Sequence, residues 1–429
     1  MDTRILIVGT VPYNESATSR AFDSYFHGWD RSCLAQIFSD PRIPPRGHCG
    51  SLYQITDRRM LDRWLDRHTK VGRAFRWEDC EEASPQMDSL TRRLYRWGRR
   101  KTPLIYLLRG LLWRDAFWHT EELDAWLEEF RPECVFLSFS DDFFIPKIAL
   151  YAAEKFDIPI VSSIGDDYYF NYRFSLSPLY HIYKLSYRGL VREIFRHRGS
   201  AIYIGNKIRD KYNAAFGLKG QTVYLASTLE RRPFRPIDAS HPRIAYFGNL
   251  GLGRNLTLTA IADALGRIHA GYTVDIYSNE TDPTVTRCFA GNPNIRFHGS
   301  VPYDRVTELT QECDLLLIPE GFSKKDVDTV RYSLSTKAAD ALCSGAAVFA
   351  CGHQDCGAIE YCAQTGCVTV CTDLDKLEDQ LRQLIFDPEL QKRQYDAAGV
   401  LLSKRHRLKY STEAFQDLVK EVMRHESCR

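Results

Sequence analysis

The sequence of 429 residues lacks the features that identify several broad classes of protein. Its formal net charge is only +2, so no overall field favours a nucleic acid as partner. No segment approaches the ~20 consecutive apolar residues of a membrane-spanning helix. The chain opens with MDTRILIVGT, a strand pattern, rather than with a basic segment, an apolar segment and a cleavage site. We therefore expect a cytosolic protein.

The sequence also lacks the cysteine spacing of a zinc site, although it contains many cysteines. Of the 13 cysteines, five are grouped near the C-terminal third: Cys351, Cys356, Cys362, Cys367 and Cys371. None of the gaps between them gives the CxxC pair that zinc sites commonly use. Several lie in or beside apolar segments, where cysteine packs as a small hydrophobic residue. We expect free thiols in a reducing compartment, and no metal site.

What the sequence does contain is a regular alternation of apolar runs with helical segments, which is typical of parallel sheets. Strands are predicted in the first half at Ile5–Val8, Leu34–Phe38, Cys134–Phe139, Ile158–Ser163, Ala201–Ile204 and Thr222–Leu225, and a charged helical pattern covers residues 53–70. After a proline-rich segment at residues 230–242, strands are predicted within 243–249, 272–278, 294–300, 314–320, 346–352 and 367–373.

This pattern predicts an α/β protein with two doubly wound parallel-sheet domains, residues 1–235 and 236–407, facing across a cleft. In such sheets, ligands bind at the carboxyl ends of the strands. A last helix within residues 408–429 could pack back on the first domain.

One helix start in the second half could bind an anion. Residues 331–350, RYSLSTKAADALCSGAAVFA, indicate a short helix followed by a buried strand. Ser335 or Thr336 can cap this helix, which places Lys337 in its first turn and Asp340 one turn later on the same face. Free amides, the helix dipole and the ammonium group all favour negative charge there. The alternative is an ordinary Lys–Asp surface pair, worth only about 0.2–0.5 kcal/mol.

A glycine-rich turn, YFGNLGLGRN at residues 246–255, follows the first predicted strand of the second half. Gly248, Gly251 and Gly253 allow the backbone to approach an anion closely, and Arg254 adds a guanidinium group suited to phosphate oxygens. The turn does not have the GxGxxG spacing of dinucleotide sites. Because Arg254 and Lys337 both follow strands of one predicted sheet, we expect them to bind a diphosphate together. The alternative is a glycine turn with unrelated surface cations.

These segments, with FHGSVPYDRV and DLLLIPE, resemble the GT-B glycosyltransferases. The sequence is similar in particular to the retaining, nucleotide-sugar-dependent family 4-type enzymes that build bacterial surface polysaccharides. The resemblance covers nearly the whole chain and is strongest over residues 243–352. It implies a Rossmann-like acceptor domain followed by a Rossmann-like donor domain. It also implies transfer of a hexosyl group, with retention, to a lipid-linked or polysaccharide acceptor.

The resemblance implies roles for particular residues. Arg254 and Lys337 would bind the donor diphosphate and Asp340 the ribose hydroxyls, with Val301 and Pro302 beside the base. The full predicted donor-binding set is Gly248, Asn249, Gly251, Gly253, Arg254, Ser335, Thr336, Lys337 and Asp340. Gly9 and Thr10, in the first loop, would let the N-terminal domain approach the diphosphate or the acceptor.

The sequence departs from the family pattern at two places. Where the family often has two glutamates eight positions apart, this chain has Tyr332 and Asp340. Where it usually has a histidine–aspartate pair after the strand that corresponds to Ile158–Ser163, this chain has Gly165 and Asp166. These departures leave a second hypothesis open, a catalytically silent GT-B protein that binds a nucleotide sugar or scaffolds polysaccharide assembly. A nucleotide-sugar epimerase is less favoured, since only the shared fold suggests it.

Carboxylates at the strand ends of the first domain are the candidate catalytic groups. We predict that Asp166 and Asp167 position an acceptor hydroxyl or take its proton; their alternative role is to cap the next helix. Asp141 and Asp142 follow the preceding strand and are further candidates for that site. No spaced DxD motif follows a suitable strand, and fixed cations with helix amides can stabilise a leaving diphosphate without a metal. We therefore expect no metal and no cofactor beyond the donor substrate.

Residues 90–114 carry eight basic residues and no acidic one. Leucines at helical spacing, framed by arginine and tryptophan, are typical of a helix at a membrane interface. The alternatives are a core-facing helix with a solvated basic rim and, more weakly, a nucleic-acid surface, for which no motif is present. We expect an anionic membrane surface as a partner through Arg92–Arg114, which would place this cytoplasmic protein peripherally on the inner face of the plasma membrane.

Overall fold

The computed structural model describes residues 2–13, 20–42, 48–76, 78, 88–98, 102–172, 174–334 and 337–424. The chain divides into two compact units: Met1–Val223 with Thr412–Arg429, and Tyr224–Ser411. Each unit contains one sheet, of eight strands in the first and six in the second. The predicted α/β class with two parallel-sheet domains is confirmed. The second unit begins at Tyr224, before the segment 230–242 that was the best linker candidate in the sequence.

The sheet of the first unit is built from short, buried apolar segments. Its strands are β1 (Ile5–Gly9), β2 (Leu34–Phe38), β3 (Ser51–Ile55), β4 (Gly72–Arg76), β5 (Cys134–Ser138), β6 (Ile160–Ile164), β7 (Gly199–Tyr203) and β8 (Gln221–Thr222). Their order is β4-β3-β2-β1-β5-β6-β7-β8, and all neighbours pair in parallel except β3 with β4. The strand order reverses between β1 and β5. A crevice for ligands is therefore expected at the carboxyl ends of these two strands.

Helices connect these strands, and several begin at threonine caps. They are α1 (Asp23–Phe26), α2 (Asp57–Leu65), α3 (Ser89–Gly98), α4 (Pro103–Leu112), α5 (Asp115–Trp118), α6 (Glu121–Phe130), α7 (Phe144–Phe156), α8 (Pro178–Arg196) and α9 (Asn206–Phe216). Thr56, Thr102 and Thr120 accept hydrogen bonds from first-turn amides of α2, α4 and α6. The helix predicted over 53–70 is wrong at its start, because residues 53–55 belong to β3 and α2 begins after the Thr56 cap.

The sheet of the second unit follows the predicted segments closely. Its strands are β9 (Ile244–Phe247), β10 (Val274–Tyr277), β11 (Ile295–Gly299), β12 (Leu315–Pro319), β13 (Ala347–Cys351) and β14 (Thr369–Cys371). Their order is β11-β10-β9-β12-β13-β14, with every neighbouring pair parallel. This is the doubly wound order, and its reversal lies between β9 and β12.

The helices of this unit and the last helix of the chain complete the fold. They are α10 (Arg254–Ile268), α11 (Pro283–Thr286), α12 (Tyr303–Glu312), α13 (Lys324–Val330), α14 (Lys337–Ser344), α15 (Gly357–Thr365), α16 (Leu377–Phe386), α17 (Pro388–Leu402) and α18 (Leu408–Arg424). From Thr412 onward α18 belongs to the first unit. There Phe415 is fully buried, with ring centroids 5.2 Å from Phe26 and 5.5 Å from Phe136.

The grouped cysteines are core residues. All five, Cys351, Cys356, Cys362, Cys367 and Cys371, are buried and carry free thiols. Within the described ranges, no three His, Cys, Asp or Glu side chains come together as metal ligands would. Nor does any helix in those ranges combine the length and the apolar character that crossing a bilayer requires.

Candidate functional site

The turn after β9 brings the backbone close to the start of α14. Gly248 has a φ of +153°, a conformation that L side chains rarely adopt. A Cβ at this position would collide with Cε and Nζ of Lys337 and with the hydroxyl of Tyr246. Glycine at 248 therefore allows the ammonium group of Lys337 to lie against the turn.

The rest of the glycine-rich turn is ordered by its own hydrogen bonds. The Tyr246 hydroxyl donates to the Asn249 carbonyl at 2.6 Å, and the Asn249 side chain accepts from the Gly251 amide at 2.6 Å. The predicted donor residues Asn249 and Gly251 thus shape the turn. Gly253, with a φ of +77°, immediately precedes α10. A Cβ there would lie only 2.9 Å from the Cα of Gly321, so this position also requires glycine.

Arg254, the first residue of α10, forms a two-point ion pair with Glu320. Its Nε and Nη2 donate to the two carboxylate oxygens at 3.0 and 3.1 Å. Glu320 directly follows β12 and is only 2% exposed. Burial raises the pKa of Glu320, and Arg254 opposes that shift. Burial would lower the pKa of Arg254, but Glu320 outweighs it and the pKa is raised. The ion pair therefore offsets part of the cost of burying the two charges.

Lys337 is the first residue of α14 and is largely enclosed. Its ammonium lies 6.0 Å from the ring centroid of Tyr246. The pKa of Lys337 is lowered to about 8, mainly by burial and also by nearby Arg254, while Glu320 and Asp340 act in the opposite direction. Among the residues that the structure describes, none forms an ion pair with this lysine. A buried ammonium without a direct counter-ion favours binding an anion.

Asp340, one turn further along α14, has a protein partner. Its Oδ1 accepts a hydrogen bond of 2.6 Å from the Ser227 hydroxyl. The predicted capping residues Ser335 and Thr336 lie outside the described residues. Of the predicted donor set, the structure therefore brings together the turn at Gly248, Arg254 and Lys337, with Glu320 as the partner of Arg254. These surround the carboxyl ends of β9 and β12, where the strand order reverses.

In the first unit, Gly9 and Thr10 lie at the equivalent reversal. A Cβ at Gly9 would be 3.1 Å from the Cβ of Ser138, the last residue of β5, so the two strands approach closely here. The Thr10 carbonyl accepts from the Asp40 amide at 2.9 Å. The loop after β1 is therefore tied to the loop after β2.

The predicted catalytic pair consists of two carboxylates in different surroundings. Asp166 is exposed and accepts a hydrogen bond of 3.4 Å from the Tyr168 hydroxyl. Asp167 is only 8% exposed and accepts from the Phe170 amide at 2.8 Å and the Tyr212 hydroxyl at 2.9 Å. Asp167 thus ties the turn after β6 to α9, whereas Asp166 is accessible to a second molecule.

Asp141 and Asp142 belong to the same neighbourhood. Burial raises the pKa of Tyr168 well above its ordinary value, and Asp166, Asp141 and Asp142 raise it further. The Tyr106 hydroxyl donates to the Asp141 carboxylate. Three carboxylates from the loops after β5 and β6 therefore act on one tyrosine.

Arg109 lies in the basic stretch but is not part of a basic surface. Its guanidinium pairs with Asp57 at 3.2 Å and with Asp142, and 12% of the side chain is exposed. The Trp113 indole also donates to Asp57 at 2.7 Å. This arginine joins α2, α4 and the loop after β5.

The remainder of the basic stretch forms α3 and α4. Helix α4 contacts the core through Ile105 and Tyr106, while Leu104, Leu108 and Leu111 are exposed. The apolar stripe predicted from the sequence is therefore largely outside the core. Arg99, Arg100 and Lys101 lie outside the described residues.

Comparisons with known proteins give structural matches only. No family model and no curated protein sequence matches this chain. HepE of Anabaena, solved with UDP and glucose, aligns over 98% of this chain and 100% of its own, with a TM-score of 0.58 and 12% identity. The chain has the GT-B fold.

Two further GT-B matches extend over the same length. Sucrose-phosphate synthase from Thermosynechococcus elongatus has a TM-score of 0.58 at 11% identity, with 100% of both chains covered. WaaG, described as a glycosyltransferase involved in lipopolysaccharide biosynthesis, has a TM-score of 0.53 at 11% identity and covers 96% of this chain and 99% of its own. The GT-B architecture expected from the sequence is thereby confirmed.

Sequence reasoning missed three residues of these sites. Glu320 ends the predicted strand DLLLIPE, and a carboxylate at the end of a buried strand was a usable signal. Ser227 lies 113 positions from its partner Asp340, and no local pattern connects them. Tyr168 was visible only as part of the aromatic run after Asp167.

Proposed function

We propose that this GT-B protein is a glycosyltransferase that takes a hexosyl group from a nucleotide-sugar donor. The observation that carries the proposal is the enclosed ammonium of Lys337, held at the first turn of α14 against the backbone of Gly248. An anion bound there meets the lysine, the first-turn amides of α14 and the turn after β9. A diphosphate has the charge and the size for this position. HepE, of the same fold, has been solved with UDP and with UDP-glucose.

In this proposal Lys337 is the principal cation for the diphosphate. Arg254 is engaged by Glu320, so its role is to neutralise that buried carboxylate close to the bound phosphates. Asp340, held by Ser227, would accept hydrogen bonds from the ribose hydroxyls. Because a fixed cation and helix amides stabilise the leaving diphosphate, the transfer needs no metal. Retention of configuration is proposed from the family resemblance alone.

For the acceptor we propose a role for the first unit. Asp166 is the exposed carboxylate after β6 and would position the acceptor hydroxyl or take its proton. Asp167 would order the turn that presents it. We propose a lipid-linked or polysaccharide acceptor at the cytosolic membrane face, which the basic composition of residues 90–114 supports.

Thermal unfolding with a panel of UDP-, GDP- and other nucleotide sugars tests the donor site. The cognate donor should raise the melting temperature, and Lys337→Ala should remove the shift. Lys324→Ala, which alters an exposed lysine of the same unit, is the matched control and should keep it. The donor assignment is refuted if no nucleotide sugar stabilises the wild-type protein.

The second candidate is a silent GT-B protein that binds a nucleotide sugar without transferring it. It is favoured by Tyr332 and Gly165, which stand where the resembled family has a glutamate and a histidine. Turnover of the cognate donor with a membrane extract separates the two. Transfer that is lost in Asp166→Ala, with donor binding intact, supports the enzyme; binding without any transfer supports the silent protein.

A further inference from the structure

Helices α2, α3 and α4 of the first unit enclose an apolar surface groove of about 940 Å³. We call it the α2–α4 groove. Its lining includes Trp64 from α2, Leu90 and Trp97 from α3, and Leu108 and Leu111 from α4. The volume lies within the range of about 300–1,000 Å³ that is typical of sites for small ligands.

The side chains of this groove are unusually exposed for their type. Trp64 is 57% exposed, Leu111 51%, Leu108 42% and Leu90 40%. Monomeric proteins rarely leave large apolar side chains together in water, and such patches mark binding surfaces. Covering them would contribute roughly 25 cal/mol for each Å² removed from water.

Positive charge lines the groove on α3. Arg93 is the charged residue among the lining side chains that the structure describes. Arg92 of the same helix is also exposed, and α3 contains no acidic residue. Trp64 and Trp97 add rings of the kind that lie at the boundary between hydrocarbon and water. An occupant with an apolar body and a negatively charged end therefore complements this surface.

We propose that the α2–α4 groove binds one hydrocarbon chain of a membrane lipid whose headgroup carries a phosphate. The chain lies among the leucines and tryptophans, and the phosphate meets Arg93 of α3. The inference rests on the proposed function in one respect, since it identifies this lipid with the anchor of the acceptor. It differs from adsorption on a flat membrane because only residues lining the groove contribute.

The spacing of leucines on α4 allows this difference to be tested. Leu104 and Leu111 are both 51% exposed and lie on the same helix, but only Leu111 lines the groove. A flat bilayer would contact Leu104, Leu108 and Leu111 alike. A chain in the groove contacts Leu108 and Leu111 and leaves Leu104 in water.

The experiment measures binding of the full chain to vesicles made of equal parts phosphatidylglycerol and phosphatidylcholine, with bromine on the acyl chains. Bromine should quench tryptophan fluorescence in the wild type, and the double variant Trp64→Phe with Trp97→Phe should lose most of that quenching. Leu111→Gln should weaken vesicle binding at least tenfold. Leu104→Gln should stay within twofold of the wild type, as should Leu65→Gln, which alters an exposed leucine of α2 outside the lining.

Three results would overturn the inference: no quenching by brominated chains, equal weakening by Leu104→Gln and Leu111→Gln, or a lipid-free dimer that Leu111→Gln dissociates. The last result would assign the groove to a second copy of the chain. Thermal unfolding of each variant with the cognate nucleotide sugar keeps the two proposals separate. Leu111→Gln should retain the rise in melting temperature that the nucleotide sugar causes. If the wild type shows no such rise, the donor site is refuted, whereas the inference about lipid binding is unaffected.

Discussion

The guanidinium of Arg254 and the carboxylate of Glu320 face each other across the carboxyl ends of β9 and β12, joined by two hydrogen bonds of 3.0 and 3.1 Å. The sequence predicted Arg254 and Lys337 as an equal pair of phosphate-binding cations. The structure makes them unequal, because Arg254 is paired with Glu320, whereas Lys337 forms no ion pair with any residue that the structure describes. We therefore expect a diphosphate to bind a single ammonium group beside a neutralised ion pair.

Removing Glu320 should destabilise the second unit. Glu320→Ala leaves the guanidinium of Arg254 without its partner, and breaking a buried ion pair in this way costs about 3–5 kcal/mol. The double variant Arg254→Met with Glu320→Leu removes both charges and should lose much less. Urea denaturation of the three proteins checks this. A loss in Glu320→Ala of only about 0.2–1 kcal/mol, as for an exposed pair, would contradict the buried arrangement.

Donor binding should weaken at alkaline pH. Since the pKa of Lys337 is about 8 in the free protein, its ammonium is charged below that pH, and affinity should change little between pH 7 and 8. A bound diphosphate stabilises the charged form, so above pH 8 binding must take up a proton. The dissociation constant should then rise about tenfold per pH unit. Calorimetry with the cognate donor measures this. Lys337→Met should bind weakly at every pH, and an unchanged pH profile in that variant would exclude Lys337 as the titrating group.

Gly248→Ala should abolish donor binding. The added methyl group meets the side chain of Lys337, and the φ of +153° disfavours any residue with a Cβ. The lysine must therefore leave its position at the turn. Gly189→Ala is the matched control, because a Cβ in that part of α8 meets nothing within 4 Å. Fluorescence titration of both variants with the cognate donor tests the difference; comparable affinities would contradict it.

Asp166 and Asp167 should respond differently to the same substitution. Asp167→Asn weakens the acceptor of the Phe170 amide and the Tyr212 hydroxyl, so it should lower the free energy of unfolding by about 1–3 kcal/mol. Asp166→Asn should leave stability within about 0.5 kcal/mol and reduce turnover at least a hundredfold. Denaturation curves and donor turnover, measured for both variants, test this predicted difference. Equal losses of stability would show that the two carboxylates are not distinguished by burial.

Most strands were predictable from a local signal. Each of the six strands of the second unit lies within a predicted segment: β12 and β13, which are buried on both faces, are apolar throughout, whereas the exposed edge strand β11 was predicted because its segment continues the alternation of strands and helices. Gly72–Arg76 escaped prediction because Phe75 is the only large apolar residue of β4, and Arg73, Ala74 and Arg76 are exposed. Its identity as a strand depends on antiparallel pairing with β3 and not on its own composition.

Residues of the candidate site could be predicted only where their role depends on their position at a helix start or directly after a strand. Lys337 and Gly248 could be selected as candidates because Lys337 follows a predicted helix cap and Gly248 follows a predicted strand. The partners of Asp340 and Arg109 could not, because Ser227 and Asp57 are distant in sequence and meet them only after folding. The ion pair between Arg254 and Glu320 could not be predicted either, because a sequence does not indicate which cation is already neutralised by a carboxylate.

The C-terminal helix has a consequence for synthesis. Phe415, Leu418 and Val419 of α18 are buried in the first unit, although the whole of the second unit is translated between them and the rest of that unit. Every residue of the second unit has therefore been synthesised before the last core residues of the first unit are added. The half of the protein that is made first is the last that can finish folding, and loss of the final helix would leave an aromatic cluster around Phe26 and Phe136 incomplete.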